Sequence, residues 1–122
     1  MPAIELGSYL RATEERYHDC IEACAACWVA CEMCSDACLD EPQVQELVRC
    51  IRLDRDCAGA CRMAVAVMVR GSEMAAEVCR LCAVLCDACA EECARHADRH
   101  DHCRVCAEAC RRCAEECRRM AA

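Results

Sequence analysis

The sequence lacks an export signal, a long apolar run and any excess of basic charge, and each absence removes a class of protein. "MPAIELGSYLRATEERY" (residues 1–17) holds no basic start followed by an apolar stretch and a small-residue cleavage site, so the chain is expected to stay in the cytosol. The longest apolar segment, "MAVAVMV" (Met63 to Val69), falls far short of the roughly 18 residues that a membrane span needs. A formal charge of −7 argues against nucleic acid, because a phosphate backbone selects for basic patches. All fifteen basic residues apart from histidine are arginine. No Ser/His/Asp or Cys/His set stands apart from the rest of the pattern, so no catalysis is expected.

What the sequence does have is cysteine, 19 in 122 residues. Between Cys20 and Cys38, "CIEACAACWVACEMCSDAC" spaces them by four, three, four, three and four residues. The beat returns in "CRLCAVLCDACAEEC" (Cys79 to Cys93) and "CRVCAEACRRCAEEC" (Cys103 to Cys117). Residues three and four apart share one face of a helix, so this is a heptad seam that buries a stripe against partners. A strand would alternate by two and scatter the thiols over both faces. Neither Gly nor Pro interrupts the three dense segments, and Ala, Glu, Arg and Asp fill the gaps.

Punctuation divides the chain into four helices. Ser8 is an expected N-cap; "LDEPQ" (Leu39 to Gln43) breaks the first helix and Pro42 suits the first turn of the second. In "RGSE" (Arg70 to Glu73), Gly71 is the stop and Ser72 the next cap, while "HADRHDH" (His96 to His102) turns the chain again with Asp98 as cap. The reading is all-α: one domain over residues 1–122, an antiparallel up-down-up-down four-helix bundle with a cysteine-lined core and helices at about 8–39, 42–70, 72–96 and 98–120. The second helix keeps the register with fewer thiols, placing Leu47, Cys50, Asp54, Cys57, Cys61, Ala64 and Met68 on one seam. Val78, Leu81 and Leu85, and Ile21, Trp28 and Val29, are expected to supply the packing beside the cysteine rows.

Thiols used only as small hydrophobes would pack no better than Ala, Leu or Val and would add an oxidation hazard. Cysteines at i and i+3 or i+4 of one helix sit awkwardly for a disulfide, the total is odd, and cytosolic thiols are kept reduced. Metal remains, and thiolates select Cu(I), Zn(II) or iron–sulfur clusters. Tetrahedral zinc on four thiolates leaves −2 per site with no arginine on the seam to offset it. Cu(I) instead replaces the thiol proton one for one and accepts two or three sulfurs, so bridging thiolates would approach one ion per cysteine, roughly 19 per chain. An iron–sulfur electron-transfer protein, or a Zn(II)/Cd(II) buffer, is the alternative. Cluster ligands, however, sit in loops around a discrete centre rather than along whole helices.

The ladders and their C-x-x-x-C pairs, such as Cys20/Cys24, Cys34/Cys38, Cys82/Cys86 and Cys113/Cys117, with histidines at the third turn, resemble the bacterial copper storage proteins of the cytosolic type. That resemblance covers nearly the whole chain and thins on the second helix. It implies a bundle storing many Cu(I) ions, assembled as a homotetramer; a copper chaperone or acceptor protein is the partner with which such a store would exchange. The expected metal ligands are Cys20, Cys24, Cys27, Cys31, Cys34, Cys38, Cys50, Cys57, Cys61, Cys79, Cys82, Cys86, Cys89, Cys93, Cys103, Cys106, Cys110, Cys113 and Cys117, with His96, His100, His102 and Asp54.

Antiparallel threading puts Cys38, Cys50, Cys93 and Cys103 at one end beside the three histidines, an expected wet mouth that admits metal. Tyr9, Leu10, Tyr17, Met68, Met74 and Met120 gather at the other as an apolar plug. A histidine in a polar turn can equally be merely solvated, and Asp54 can bind Cu(I) or accept a hydrogen bond from a thiol. The methionines at helical spacing read as core more than as ligands, Trp28 as packing or an oligomer contact, and His18 as surface.

Overall fold

The computed structural model describes residues 12–122, which form four helices joined by short turns. Ser8, Tyr9 and Leu10 lie outside the described residues. A 3-10 turn, Ala12–Tyr17, leads into α1 (His18–Leu39). Another, Val44–Leu47, leads into α2 (Val48–Val69); α3 (Ala75–Ala94) and α4 (Asp101–Ala121) follow. α1 packs on α2 and α4, and α3 packs on α2 and α4, which is the square of an up-down-up-down bundle.

The link between α2 and α3 is written in the sequence. Gly71 takes φ 64°, a left-handed conformation that costs glycine nothing. The turn closes with Gly71 N–H donating to Met68 O at 3.0 Å and Ser72 N–H to Val67 O at 2.9 Å, the paired bonds of a Schellman end. Ser72 then accepts the Met74 N–H at 3.1 Å, while α3 itself starts three residues later than expected, at Ala75. Asp98 is not the cap of α4: the 3.0 Å bond from His100 N–H to His96 O carries the chain one more helical turn, so His100 precedes the helix and Asp101 opens it.

All 19 cysteines are buried and free. The whole expected seam of α2, from Leu47 to Met68, is at most 1% exposed, Asp54 included. The expected packing stripes need correction. Ile21 is fully buried and Trp28 and Val78 pack partly against the core, but Val29 and Leu81 are 54% and 55% exposed. Alanine takes their place. Ala83, Ala90, Ala107 and Ala114 recur every seven residues beside the sulfurs of α3 and α4 and are buried, so a small flank lets the helices approach and turns the larger side chains outward. Val84, Met33, Met63 and Val105 are likewise exposed. Outside the core, Arg118 grips both Asp87 oxygens at 2.8 and 3.0 Å and ties α4 to α3.

Candidate metal centre

The seam brings the sulfurs into a column of overlapping groups. At the end where α1 stops and α4 starts, Cys34, Cys38, Cys50 and Cys103 form a tetrad whose sulfurs all lie within 4.8 Å of one another. Deeper along the column come Cys31, Cys89, Cys106 and Cys110, then Cys27, Cys31, Cys57 and Cys110, then Cys27, Cys61, Cys86 and Cys113, then Cys24, Cys82, Cys113 and Cys117. Cys27, Cys31, Cys110 and Cys113 each belong to at least two tetrads. Individual contacts run from 3.4 Å between Cys57 and Cys86 to 4.0 Å between Cys57 and Cys110. Cys20 lies 3.8 Å from Cys117 at the far end, where α3 also places Cys79.

No described arginine shares this space. Every described arginine is exposed, so none offsets a buried negative charge in the core. Cys31 and Cys86 are held above the usual thiol range, first by the neighbouring thiols Cys106 and Cys113 and further by burial. Cys38, in the outer tetrad, is held below it, by hydrogen bonds from Cys103, Cys34 and Cys50, with the nearby His102 adding to the effect. The directions alternate along the column, since Cys57 and Cys113 are held down by the thiols around them while Cys34 in the outer tetrad is held up, so neighbouring sulfurs share protons and depth alone does not sort thiol from thiolate.

Asp54 is the one break in the ladder of α2. Its Oδ1 accepts from the thiols of Cys89, Cys106 and Cys93 at 3.2, 3.3 and 3.4 Å, and Oδ2 lies 3.9 Å from Cys50. Burial, followed by the proximity of Cys106, pushes its carboxyl up to about 8. Of the two roles open to it in the sequence, the structure displays the hydrogen-bond acceptor, on sulfurs of three helices.

Of the three histidines of the third turn, His102 sits against the outer tetrad and His100 stacks on it, and each of the three stands on a glutamate. His102 places Nδ1 3.6 Å from the sulfurs of Cys34 and Cys103 and 3.8 Å from Cys38, and its Nε2 is 3.3 Å from Glu41. His100 reaches the other Glu41 oxygen at 3.5 Å and stacks on His102, ring centroids 5.3 Å apart. His96 is 6% exposed and donates from Nε2 to Glu92 at 2.8 Å. Beside them, Glu41, Pro42, Gln43, Glu46, Arg99 and His100 line a cleft of about 410 Å³. Burial alone would raise Glu92, but hydrogen bonds from His96 and Arg49 and the charge of Arg95 hold it below its ordinary value.

At the opposite end Tyr17 and Met68 are buried and Met120 half-buried, whereas Met74 is 52% exposed and forms no part of a plug. His18, on the surface there, pairs with Glu22 at 3.2 Å. Sequence reasoning missed Glu41 and Glu92. The second had a signal: Glu92 and His96 stand at i and i+4, and His96 and His100 continue the three-four beat of Cys86, Cys89 and Cys93 across the turn.

A helical bundle whose interior is a continuous column of shared thiols, flanked at one end by imidazoles and carboxylates, defines an all-α, multi-thiolate metal-binding protein. A family model described as copper storage protein matches residues 13–122. The chain belongs to that family. It is similar to a solved cytosolic copper storage protein from Streptomyces lividans carrying five coppers (47% identity, 89% of this chain and 94% of that one, TM-score 0.85). The Cu(I)-bound copper storage protein BsCsp3 shares 49% identity over 88% of this chain and all of its own, with a TM-score of 0.84. A cysteine-rich protein of Bacillus subtilis, YhjQ, is 50% identical over 89 residues, 72% of this chain and 81% of its own length.

Proposed function

We propose that this chain is a cytosolic, non-catalytic store that sequesters Cu(I) inside the bundle and so limits copper toxicity. The observation that carries the reading is the run of overlapping thiol tetrads with no described arginine buried beside it. At one Cu(I) per cysteine each ion stands in for one thiol proton, so a full column of bridging thiolates carries the same charge as the empty column of thiols. Zinc on the same tetrads would bury −2 at each. Sulfurs that belong to two tetrads suit ions of two- or three-sulfur coordination that share thiolates. All 19 cysteines serve as ligands. His96, His100 and His102 receive the metal at the mouth, and Asp54 holds the sulfurs of the second layer and can add an oxygen ligand. The relatives whose structures hold copper support the choice of ion.

The store works as a homotetramer in this reading. The exposed Val29 and Met33 on α1, and Leu81 and Val84 on α3, supply apolar surface for subunit contacts. Among the described residues no helix is long and apolar enough to cross a membrane. Copper would pass between the mouth and a chaperone or acceptor protein.

The test is anaerobic titration of fully reduced protein with Cu(I) against a competing chromophoric chelator, with thiols and metal counted on one sample. Tight uptake near one ion per cysteine is expected; saturation at four or five ions would sink the storage reading and point to zinc or clusters. Sedimentation equilibrium of the same sample reads the assembly, and a monomer at micromolar concentration would remove the tetramer.

A further inference from the structure

We propose that Glu92 is a positioning residue for copper entry: it holds the His96 ring by Nε2–H so that the Nδ1 lone pair is presented to Cu(I) on its way from the mouth to the thiol column. The proposal rests on the storage reading and adds to it a residue that binds no metal itself.

The starting observation is an orphan. Among the described residues, His96 Nδ1 is the buried side-chain nitrogen or oxygen without a hydrogen-bond partner. Buried polar groups are nearly always paired, so such an atom requires a reason. Its protonation follows from the other nitrogen. Nε2 lies 2.8 Å from Glu92 Oε2, a distance that needs a proton on Nε2, since the carboxylate only accepts. A neutral ring then carries its lone pair on Nδ1. The arrangement therefore sets aside a soft nitrogen donor with nothing bound to it.

The carboxylate that sets this tautomer is itself fixed. Glu92 is 2% exposed, and its two oxygens divide the work. Oε1 takes Arg49 at 2.7 Å and Arg95 at 3.2 Å, leaving Oε2 to His96. Arg49 comes from α2, so the ring is referenced to two helices and not only to its own turn. His96 also occupies the next seam position after Cys93, whose sulfur lies 3.5 Å from Cys50 and 3.4 Å from Asp54. A carboxylate behind a metal-binding imidazole fixes its orientation and raises its basicity. The bland account is an i, i+4 pair that merely ties the turn. It explains neither the burial of the pair nor the empty Nδ1.

The test uses reduced full-length protein, with wild type, E92A, E92Q, H96A and H96A/E92A compared by stopped-flow transfer of Cu(I) from a weak chromophoric chelator, and circular dichroism as the check of fold. Initial loading should slow roughly tenfold or more in E92A, matching H96A. The double variant should be no slower than H96A, because Glu92 acts through that ring. E92Q, whose amide oxygen can still accept the Nε2 proton, should retain most of the wild-type rate. Two-bond ¹H–¹⁵N spectra of the copper-free wild type should show His96 with Nε2 protonated and Nδ1 bare, and a mixture of tautomers in E92A. Wild-type loading by E92A, additive slowing in the double variant, or a bare Nε2 in the wild type would each overturn the proposal. Wild-type capacity in the same experiment separates the two ideas. A few ions per chain overturns storage and the proposal together, whereas full capacity with unaltered E92A kinetics removes the proposal alone.

Discussion

The chain writes CAEEC twice, at residues 89–93 and 113–117, and the antiparallel fold sends the copies to opposite ends of the bundle. Three residues beyond the last cysteine the first copy has His96 and the second Met120. The glutamates diverge with them. The Glu92 side chain is 3% exposed and gathers Arg49, Arg95 and His96, whereas its counterpart Glu116 is 14% exposed and pairs with Arg119. Both ends have a cleft of similar size, about 410 Å³ at the histidines and about 310 Å³ at Tyr17 and Met120. Size therefore does not distinguish them. The sulfur column runs to both ends, and what differs is whether its last rung is covered by imidazole and carboxylate or by a phenol ring and thioethers.

Asp54 sharpens the contrast, because a carboxyl interrupts the sulfur column only in the histidine half. Its folded-state value of about 8 lies above the ordinary 3.8. Below pH 4 the group is neutral whether the chain is folded or not, and it has no effect on the balance. As pH rises from 4 toward 8 the unfolded chain loses this proton and the folded one keeps it, so stability falls with pH and levels off above 8. At 1.36 kcal/mol per unit the loss reaches on the order of 5 kcal/mol. Urea unfolding of reduced, copper-free protein between pH 4 and 8 should show the wild type weakening relative to D54N by about that much; parallel curves would mean that Asp54 ionises freely inside the bundle. Next in size is M68A at the other end. Emptying this fully buried site should cost about 2–5 kcal/mol of stability while leaving the rate of copper loading intact, and slower loading would show that metal also passes the methionine end.

The column was legible from the sequence because a three-four beat admits one face of one kind of element, and the short links left one topology. Asp54 was placed by extending that beat along α2. Burial of the flanks was not legible. Ala83 and Leu81 are both apolar neighbours of Cys82, and only the closeness of the helices determines that the smaller faces inward. Glu92 was hidden for a related reason: within CAEEC it reads as a solvent-facing helix charge, as Glu91 is, and its burial depends on Arg49 arriving from another helix. The histidines were found by type, but the carboxylate behind His100 and His102 belongs to the packing of the third turn against the loop that carries Glu41.

Exchanging the two residues that follow CAEEC breaks the comparison most directly. H96M gives the histidine end the residue of the methionine end, and initial Cu(I) transfer should slow roughly tenfold, equivalent to about 1.4 kcal/mol in the barrier, because a thioether cannot be oriented by Glu92. M120H makes the reverse change and should do far less, less than about twofold in rate. Its new imidazole would stand four residues after Glu116, as His96 does after Glu92, but that glutamate already binds Arg119 and, among the described residues, no arginine from a second helix pairs with it. Tyr17, 8% exposed with its hydroxyl held by Arg16 at 2.6 Å, would still be packed into the core at that end. Acceleration by M120H as large as the slowing by H96M would show that a histidine alone makes an entrance; a silent M120H beside a slow H96M assigns the entrance to the histidine together with the buried carboxylate behind it.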